Sequence, residues 1–177
     1  MLICTWLSPA LAHARVGAAS RDHLTPKEAE LVRDTQVLDK RIEIFIRAAE
    51  RRLLALTDPG AATSTQVQKE MEKWGELPKG TRAELLMDLS KIIDEAITNI
   101  DDVAARDEKN QLLPKALRRL ADASARFLAQ LTTMRERAQD GRERDALEQA
   151  VENLQSVIEA ANRLPPDVKK EKAKGRS

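Results

Sequence analysis

Apolar side chains recur every three or four residues along four long stretches of the chain. The first stretch covers residues 37–56, and its apolar positions are Leu38, Ile42, Phe45, Ala49, Leu53 and Leu56. Because this spacing matches the period of an α-helix, these side chains would share one face. The pattern therefore predicts an amphipathic helix that buries this face.

Three further stretches repeat the pattern and predict three more long helices. The alternation of four and three averages about 3.5 residues per turn, and helices with this repeat pack at about 20° to one another. The sequence therefore predicts an all-α fold, an up-down antiparallel four-helix bundle with one or two extra short helices. The positions on the three faces are Leu86, Ser90, Ile93, Ile97, Ile100 and Ala104; Leu113, Leu117, Leu120, Ser124, Phe127, Leu131 and Met134; and Leu147, Val151, Leu154, Ile158 and Ala161.

The connections and charges of these stretches predict which helices are neighbours. Short polar turns at residues 107–110 and 139–141 predict that the last three long helices are antiparallel neighbours. The net charges of the four stretches alternate in sign, at +2, −4, +4 and −2 along the chain, and this favours the same pairing. A coiled-coil oligomer is the competing architecture, but the turns that interrupt the apolar faces favour the bundle.

Two capping boxes mark helix starts, at residues 25–28 (Thr-Pro-Lys-Glu) and residues 81–84 (Thr-Arg-Ala-Glu). In this motif the Thr and Glu side chains accept hydrogen bonds from backbone N–H groups of the first turn. The first box opens a short helix that ends near Arg33. Asp34 or Thr35 then caps the next helix, unless one kinked helix runs through both residues.

A second short helix is predicted between the first two long ones. Val67, Met71 and Trp74 follow helical spacing, and Gly75 is a typical helix end. We expect Trp74 to fill the space beneath this long connection, and the alternative is an exposed anchor for a partner protein.

Acidic side chains form a line along the predicted helix of residues 82–104. Glu84, Asp88, Glu95 and Asp102 fall close to one line, opposite the apolar face of that helix. We expect a solvated acidic face, and the functional alternative is a docking surface for a cationic partner.

The residue inventory excludes most catalytic and metal chemistry. The chain has no Glu-x-x-His pair for a di-metal bundle, no Gly-rich phosphate loop, and only two histidines, His13 and His23. With a single cysteine, Cys4, it has no set of thiolate ligands. We therefore predict no catalytic residue, cofactor or metal.

The composition supports the same fold and limits the partners. Charged residues make up 33% and aromatic ones 2%, which fits long helices and disfavours a sheet. The formal net charge of +1 gives no global field toward nucleic acid or an acidic membrane, so no nucleic-acid partner is expected. No apolar run beyond Ala14 approaches the length of a membrane span.

The N-terminal stretch resembles an export signal. Residues 2–12 are uncharged and largely apolar, and Ala12-His13-Ala14 has the form of a signal-peptidase site. An apolar start on a cytoplasmic protein is the alternative. The predicted organisation is a signal peptide (1–14), a flexible arm (15–24), the bundle (25–164) and a disordered basic tail (165–177).

These observations predict a function only by elimination. We expect an exported, non-enzymatic bundle that acts by protein contact or scaffolding, with a partner protein or by self-association. The alternative is a sensory or ligand-binding bundle that holds a small molecule between its helices. Small side chains on the apolar faces would leave room for one, at Ala49, Ser90, Ser124 and Ala161.

Overall fold

The computed structural model describes residues 22–58, 60–138 and 140–165, and all regular secondary structure in them is helical. The prediction of an all-α fold is confirmed. The predicted signal peptide lies outside the described residues, as do residues 15–21 of the arm and 166–177 of the tail. The described α-helices are α1 (Pro26–Asp34), α2 (Leu38–Thr57), α3 (Thr65–Trp74), α4 (Arg82–Arg106), α5 (Leu112–Met134) and α6 (Gly141–Asn162).

Both predicted capping boxes form. The Thr25 N–H donates to the Glu28 carboxylate at 2.9 Å, and the Glu28 N–H donates to the Thr25 hydroxyl at 3.4 Å. At the start of α4, the same two bonds join Thr81 and Glu84 at 2.7 and 3.2 Å. Local sequence therefore determines where α1 and α4 begin.

The start of α2 differs from the prediction. Asp34 is the last residue of α1 and Thr35 is its C-cap, whereas α2 begins at Leu38 after Val37, without a side-chain cap. The carbonyl oxygen of Thr35 accepts a hydrogen bond from Nε of Arg41 at 2.8 Å. The predicted caps are therefore wrong, since three residues separate α1 from α2 and Arg41 of α2 bonds to the backbone of this connection.

The predicted apolar faces form the core. Every predicted face position of α2 is buried, and Phe45 and Phe127 are 0% and 1% exposed. One core cluster collects side chains from α2, α4, α5 and α6, with positions such as Ile97 and Val151 partly buried at its margin. No helix within the described ranges combines the length and apolar character that crossing a membrane requires.

The order of the helices around the core differs from the predicted one. α2 and α6 each pack against both α4 and α5, whereas α4 and α5 share few contacts and lie across the bundle from each other. The prediction that the last three long helices are all neighbours is therefore wrong for α4 and α5. Arg82, at the start of α4, donates to the carbonyl oxygen of Leu56 near the end of α2, so these two helices are antiparallel.

The contact between α2 and α5 explains why net charge did not predict that these two helices are neighbours. Although α2 is basic in sum, its three acids all face α5, where each meets a basic side chain. The attraction within these close ion pairs thus exceeds the repulsion expected from the positive net charges of the two helices. These pairs run in the same order along both helices, which are parallel: Asp39 with Lys115, Glu43 with Arg119, and Glu50 with Arg126.

The observed order gives the bundle two halves of opposite charge. By their residue content, α2 and α5 carry net charges of +2 and +3, and α4 and α6 each carry −3. We call α2 with α5 the basic half and α4 with α6 the acidic half. In the acidic half, Nδ2 of Asn153 donates to the Ser90 hydroxyl and to the Asp94 carboxylate, each at 2.7 Å.

Candidate functional site

Three charged side chains of α1 and α2 are buried together. Glu28 is 0% exposed, Arg51 2% and Arg52 1%. Nη1 of Arg52 donates to both Glu28 carboxylate oxygens at 2.6 Å, and Nε of Arg51 donates to one of them at 3.0 Å. In this buried arginine cluster, one carboxylate thus serves two guanidinium groups.

The same arginines hold two connections of the chain by their backbone. Nη2 of Arg51 donates to the carbonyl oxygens of Trp74, Gly75 and Glu76, at 3.3, 3.1 and 2.5 Å. Nη2 of Arg52 donates to the carbonyl oxygen of His23 at 2.5 Å. The cluster therefore fastens the end of α3 and the segment before α1 onto α2.

Trp74 lies at one of these connections. Its side chain is buried, at 8% exposure, and Gly75 ends α3 with a φ of 70°, in the left-handed region that favours glycine. This burial agrees with a side chain that fills space beneath the connection, and an exposed partner anchor would need a more open position.

The apolar pattern of α2 gives no sign of the buried arginine cluster, although one signal is present in the sequence. Arg52 lies seven residues after Phe45, two helical turns along the same buried face of α2. The neighbouring residue Leu53 completed the apolar pattern, so the pattern did not require Arg52 to be buried. Glu28 was interpreted only as a capping residue, and in the structure it also serves as the counter-charge.

A cleft of about 870 Å³ lies beside Arg52. We call it the Arg52 cleft. Its lining includes His23 of the arm, Arg33 of α1, Lys79, and Asp88 and Glu95 of α4. Nε2 of His23 contacts the Glu95 carboxylate at 2.6 Å, which ties the arm to α4.

The arm changes the interpretation of the acidic line on α4. Glu84 and Asp102 are exposed, but Asp88 is buried at 4% exposure and Glu95 is half-buried against His23. The expected continuous solvated face is therefore wrong in its middle. The cause is a packing partner that helical periodicity within α4 could not reveal.

One donor of Arg52 is unsatisfied. Its Nε is buried and has no hydrogen-bond partner among the residues that the structure describes. Arg52 is thus both a member of the buried arginine cluster and part of the cleft lining.

Hydrogen bonds from neighbouring helices affect the pKa values of two acids, Asp39 and Asp94. The hydrogen bond from Lys115 lowers the pKa of Asp39. Partial desolvation raises the pKa of Asp94, and the hydrogen bond from Asn153 opposes this rise. Within the described part of the chain, no group of three or more His, Cys, Asp or Glu residues could hold a metal ion.

A second concave surface lies where α4 and α6 begin. Nε of Arg82 donates to the Glu143 carboxylate at 2.6 Å, which joins the two helix starts. Beside them, Met87 is 50% exposed in a groove of about 670 Å³ that we call the α4–α6 groove. Its other lining residues are Thr81, Ala83, Glu84, Arg142, Asp145, Ala146 and Gln149.

Comparison with known proteins finds no protein-family model, no curated protein and no solved structure that matches the chain. The predicted cleavage residues Ala12 and Ala14 lie outside the described residues. Of the four acids and the tryptophan considered for partner contact, only Glu84 lines the α4–α6 groove beside an exposed apolar side chain.

Proposed function

We propose that the protein is a non-enzymatic helical bundle that acts by protein contact through the α4–α6 groove. The observation that carries this proposal is the exposure of Met87, a large apolar side chain in a concave surface. Ala83 and Ala146 line the groove together with Met87, and contiguous apolar surface with a polar rim is typical of protein contact sites. Methionine also adapts its shape to different partners.

The charges around the groove indicate the partner's chemistry. Glu84 and Asp145 flank Met87, and the groove belongs to the acidic half of the bundle. Arg142 is the basic residue of the lining. A partner that fits would present an apolar side chain between Lys or Arg residues, as one face of a basic amphipathic helix does.

The environment of three of the four buried acids that the structure describes supports a non-enzymatic role. Glu28, Asp39 and Glu143 each contact a basic side chain, at 2.6, 2.5 and 2.6 Å. General acid–base catalysis uses a carboxylate whose environment poises it to exchange a proton in a pocket. These three carboxylates instead neutralise neighbouring cations.

Photo-crosslinking tests the proposed contact. A photoreactive phenylalanine analogue at position 87 should give a crosslinked product in the native host extract. Asp145→Lys should reduce it by reversing a charge beside Met87 without touching the capping box of α4. Position 37 is the matched control, since Val37 is 51% exposed and lies outside the groove. A product of twice the chain's mass would identify a second copy as the partner. Equal crosslinking from positions 87 and 37 would refute the proposal.

A further inference from the structure

We propose that the Arg52 cleft binds a small organic carboxylate, which accepts hydrogen bonds from the guanidinium group of Arg52. This inference is independent of the protein contact proposed for the α4–α6 groove. It also differs from the site expected between the long helices, because Ala49, Ser90 and Ser124 are buried in the core and do not line this cleft.

The first support is the unsatisfied donor. Nε of Arg52 is buried without an acceptor among the described residues, and leaving a buried charged donor unpaired is costly. An acceptor brought by a ligand would remove this cost. Arg52 already lines a cleft large enough for a small organic molecule.

The second support is the charge of the buried arginine cluster. Arg51 and Arg52 share the single carboxylate of Glu28, and all three residues are almost fully buried. Arg33 and Lys79 line the same cleft. The ammonium group of Lys79 pairs with the Glu76 carboxylate at 2.7 Å, so Arg33 is the residue that favours the approach of an anion at the rim.

The third support is the geometry of the guanidinium group. Nε and Nη2 form the edge that holds a carboxylate side-on through two parallel hydrogen bonds. Here Nη2 donates to the carbonyl oxygen of His23, and Nε has no partner. A carboxylate that displaces this carbonyl exchanges one neutral acceptor for two charged ones. Binding therefore requires a small shift of the arm at residues 22–24.

The acids of the cleft limit the class of ligand. Asp22, Asp88 and Glu95 line it together with the basic residues. They would repel ligands with several negative charges, such as nucleotides, and tolerate a single carboxylate. A ligand that also carries an amino group, such as a free amino acid, would gain from these acids.

Nitrogen NMR of the arginine side chains tests this proposal directly. In the ¹⁵N-labelled full-length chain, the Nε–H signal of Arg52 should shift saturably on titration with millimolar acetate or glycine. Tighter binding of glycine than of acetate would assign the ligand to the amino acids. Ethylammonium chloride controls for ionic strength, and the Nε–H signal of the exposed Arg126 serves as the internal reference.

Arg52→Lys is the matched variant, because it keeps the charge but loses the side-on edge. It should weaken carboxylate binding by about tenfold, since one of two charge-assisted hydrogen bonds is lost. In this variant and in wild type, binding is followed by the backbone amide signal of Leu24, which is bonded to the carbonyl group of His23 that the ligand displaces. If that variant does not fold, Arg33→Ala at the exposed rim should weaken binding without unfolding the protein. An Arg52 signal that does not move, or that moves in parallel with Arg126, would overturn the proposal. Neither result would affect crosslinking at the α4–α6 groove.

Discussion

Glu28 neutralises two arginines at the junction of α1 and α2. Glu28→Gln keeps the shape of the side chain and its role in the capping box, but removes the charge that Arg51 and Arg52 share. Removing one partner of a buried ion pair leaves an uncompensated charge in the interior. We expect this substitution to lower the free energy of unfolding by about 3–5 kcal/mol, measured from the urea midpoint.

Glu84→Gln supplies the control for this experiment. Glu84 occupies the same position in the capping box of α4, but its side chain is exposed. Substitution there should change the free energy of unfolding by less than about 0.5 kcal/mol. If both variants unfold at the same urea concentration, the charge of Glu28 does not contribute to the free energy of unfolding. That result would contradict the proposal that Glu28 neutralises Arg51 and Arg52.

At the scale of elements, the contact between α2 and α5 predicts a dependence of stability on pH. The hydrogen bond from Lys115 lowers the pKa of Asp39 below its ordinary value of 3.8. A depressed pKa stabilises the folded state above that value, and this stabilisation is lost as the pH falls through the lower, folded-state pKa. Wild type should therefore be more stable than Asp39→Asn near neutral pH, and the difference should shrink below about pH 4.

Thermal unfolding of both proteins between neutral and acidic pH measures this difference. Asp122→Asn on α5 is a suitable control, because Asp122 is exposed and forms no side-chain ion pair among those described. A gap between wild type and Asp39→Asn that stays constant from neutral to acidic pH would contradict the assignment of the ion pair.

The sequence could predict the helices because their signals are local. The spacing of Leu38 to Leu56 and the capping boxes at Thr25 and Thr81 lie within single helices, and all of them form as predicted. The order of helices around the core depends instead on pairs such as Asp39 with Lys115, which are 76 residues apart. No periodicity within one helix contains that information.

The candidate sites could not be predicted either, because each depends on contacts between distant parts of the chain. The Arg52 cleft requires an arm, α1, α2 and α4 to meet, and its unsatisfied donor is visible only in three dimensions. The α4–α6 groove depends on two helices that are adjacent in space but separated in sequence by α5. Of its lining, only Glu84 was considered for partner contact from the sequence, because it belongs to the acidic line of α4.

At the scale of the whole molecule, the separation of charge into two halves suits a protein that meets its partner from one side. The acidic half carries the groove, so a basic partner would be attracted to that side before contact. This attraction should weaken as ionic strength rises, because exposed charges are screened over about 8 Å at physiological salt.

Export is a further prediction at this scale. Cleavage after Ala14 would give a mature chain that begins at Arg15 and lacks Cys4, so it would contain no thiol. N-terminal sequencing of the protein isolated from its native host measures the start directly. A chain that retains Met1 would contradict export through this site and would favour the cytoplasmic alternative.

The most direct test of the central claim compares two single substitutions in partner binding. Met87→Asp places a charge at the centre of the α4–α6 groove, whereas Val37→Asp places one at an equally exposed position elsewhere. Titration calorimetry with the partner identified by crosslinking measures the affinity of each variant for that partner. We expect affinity at least about tenfold weaker for Met87→Asp and unchanged for Val37→Asp. Equal affinities for the two variants would show that the protein does not act through this groove.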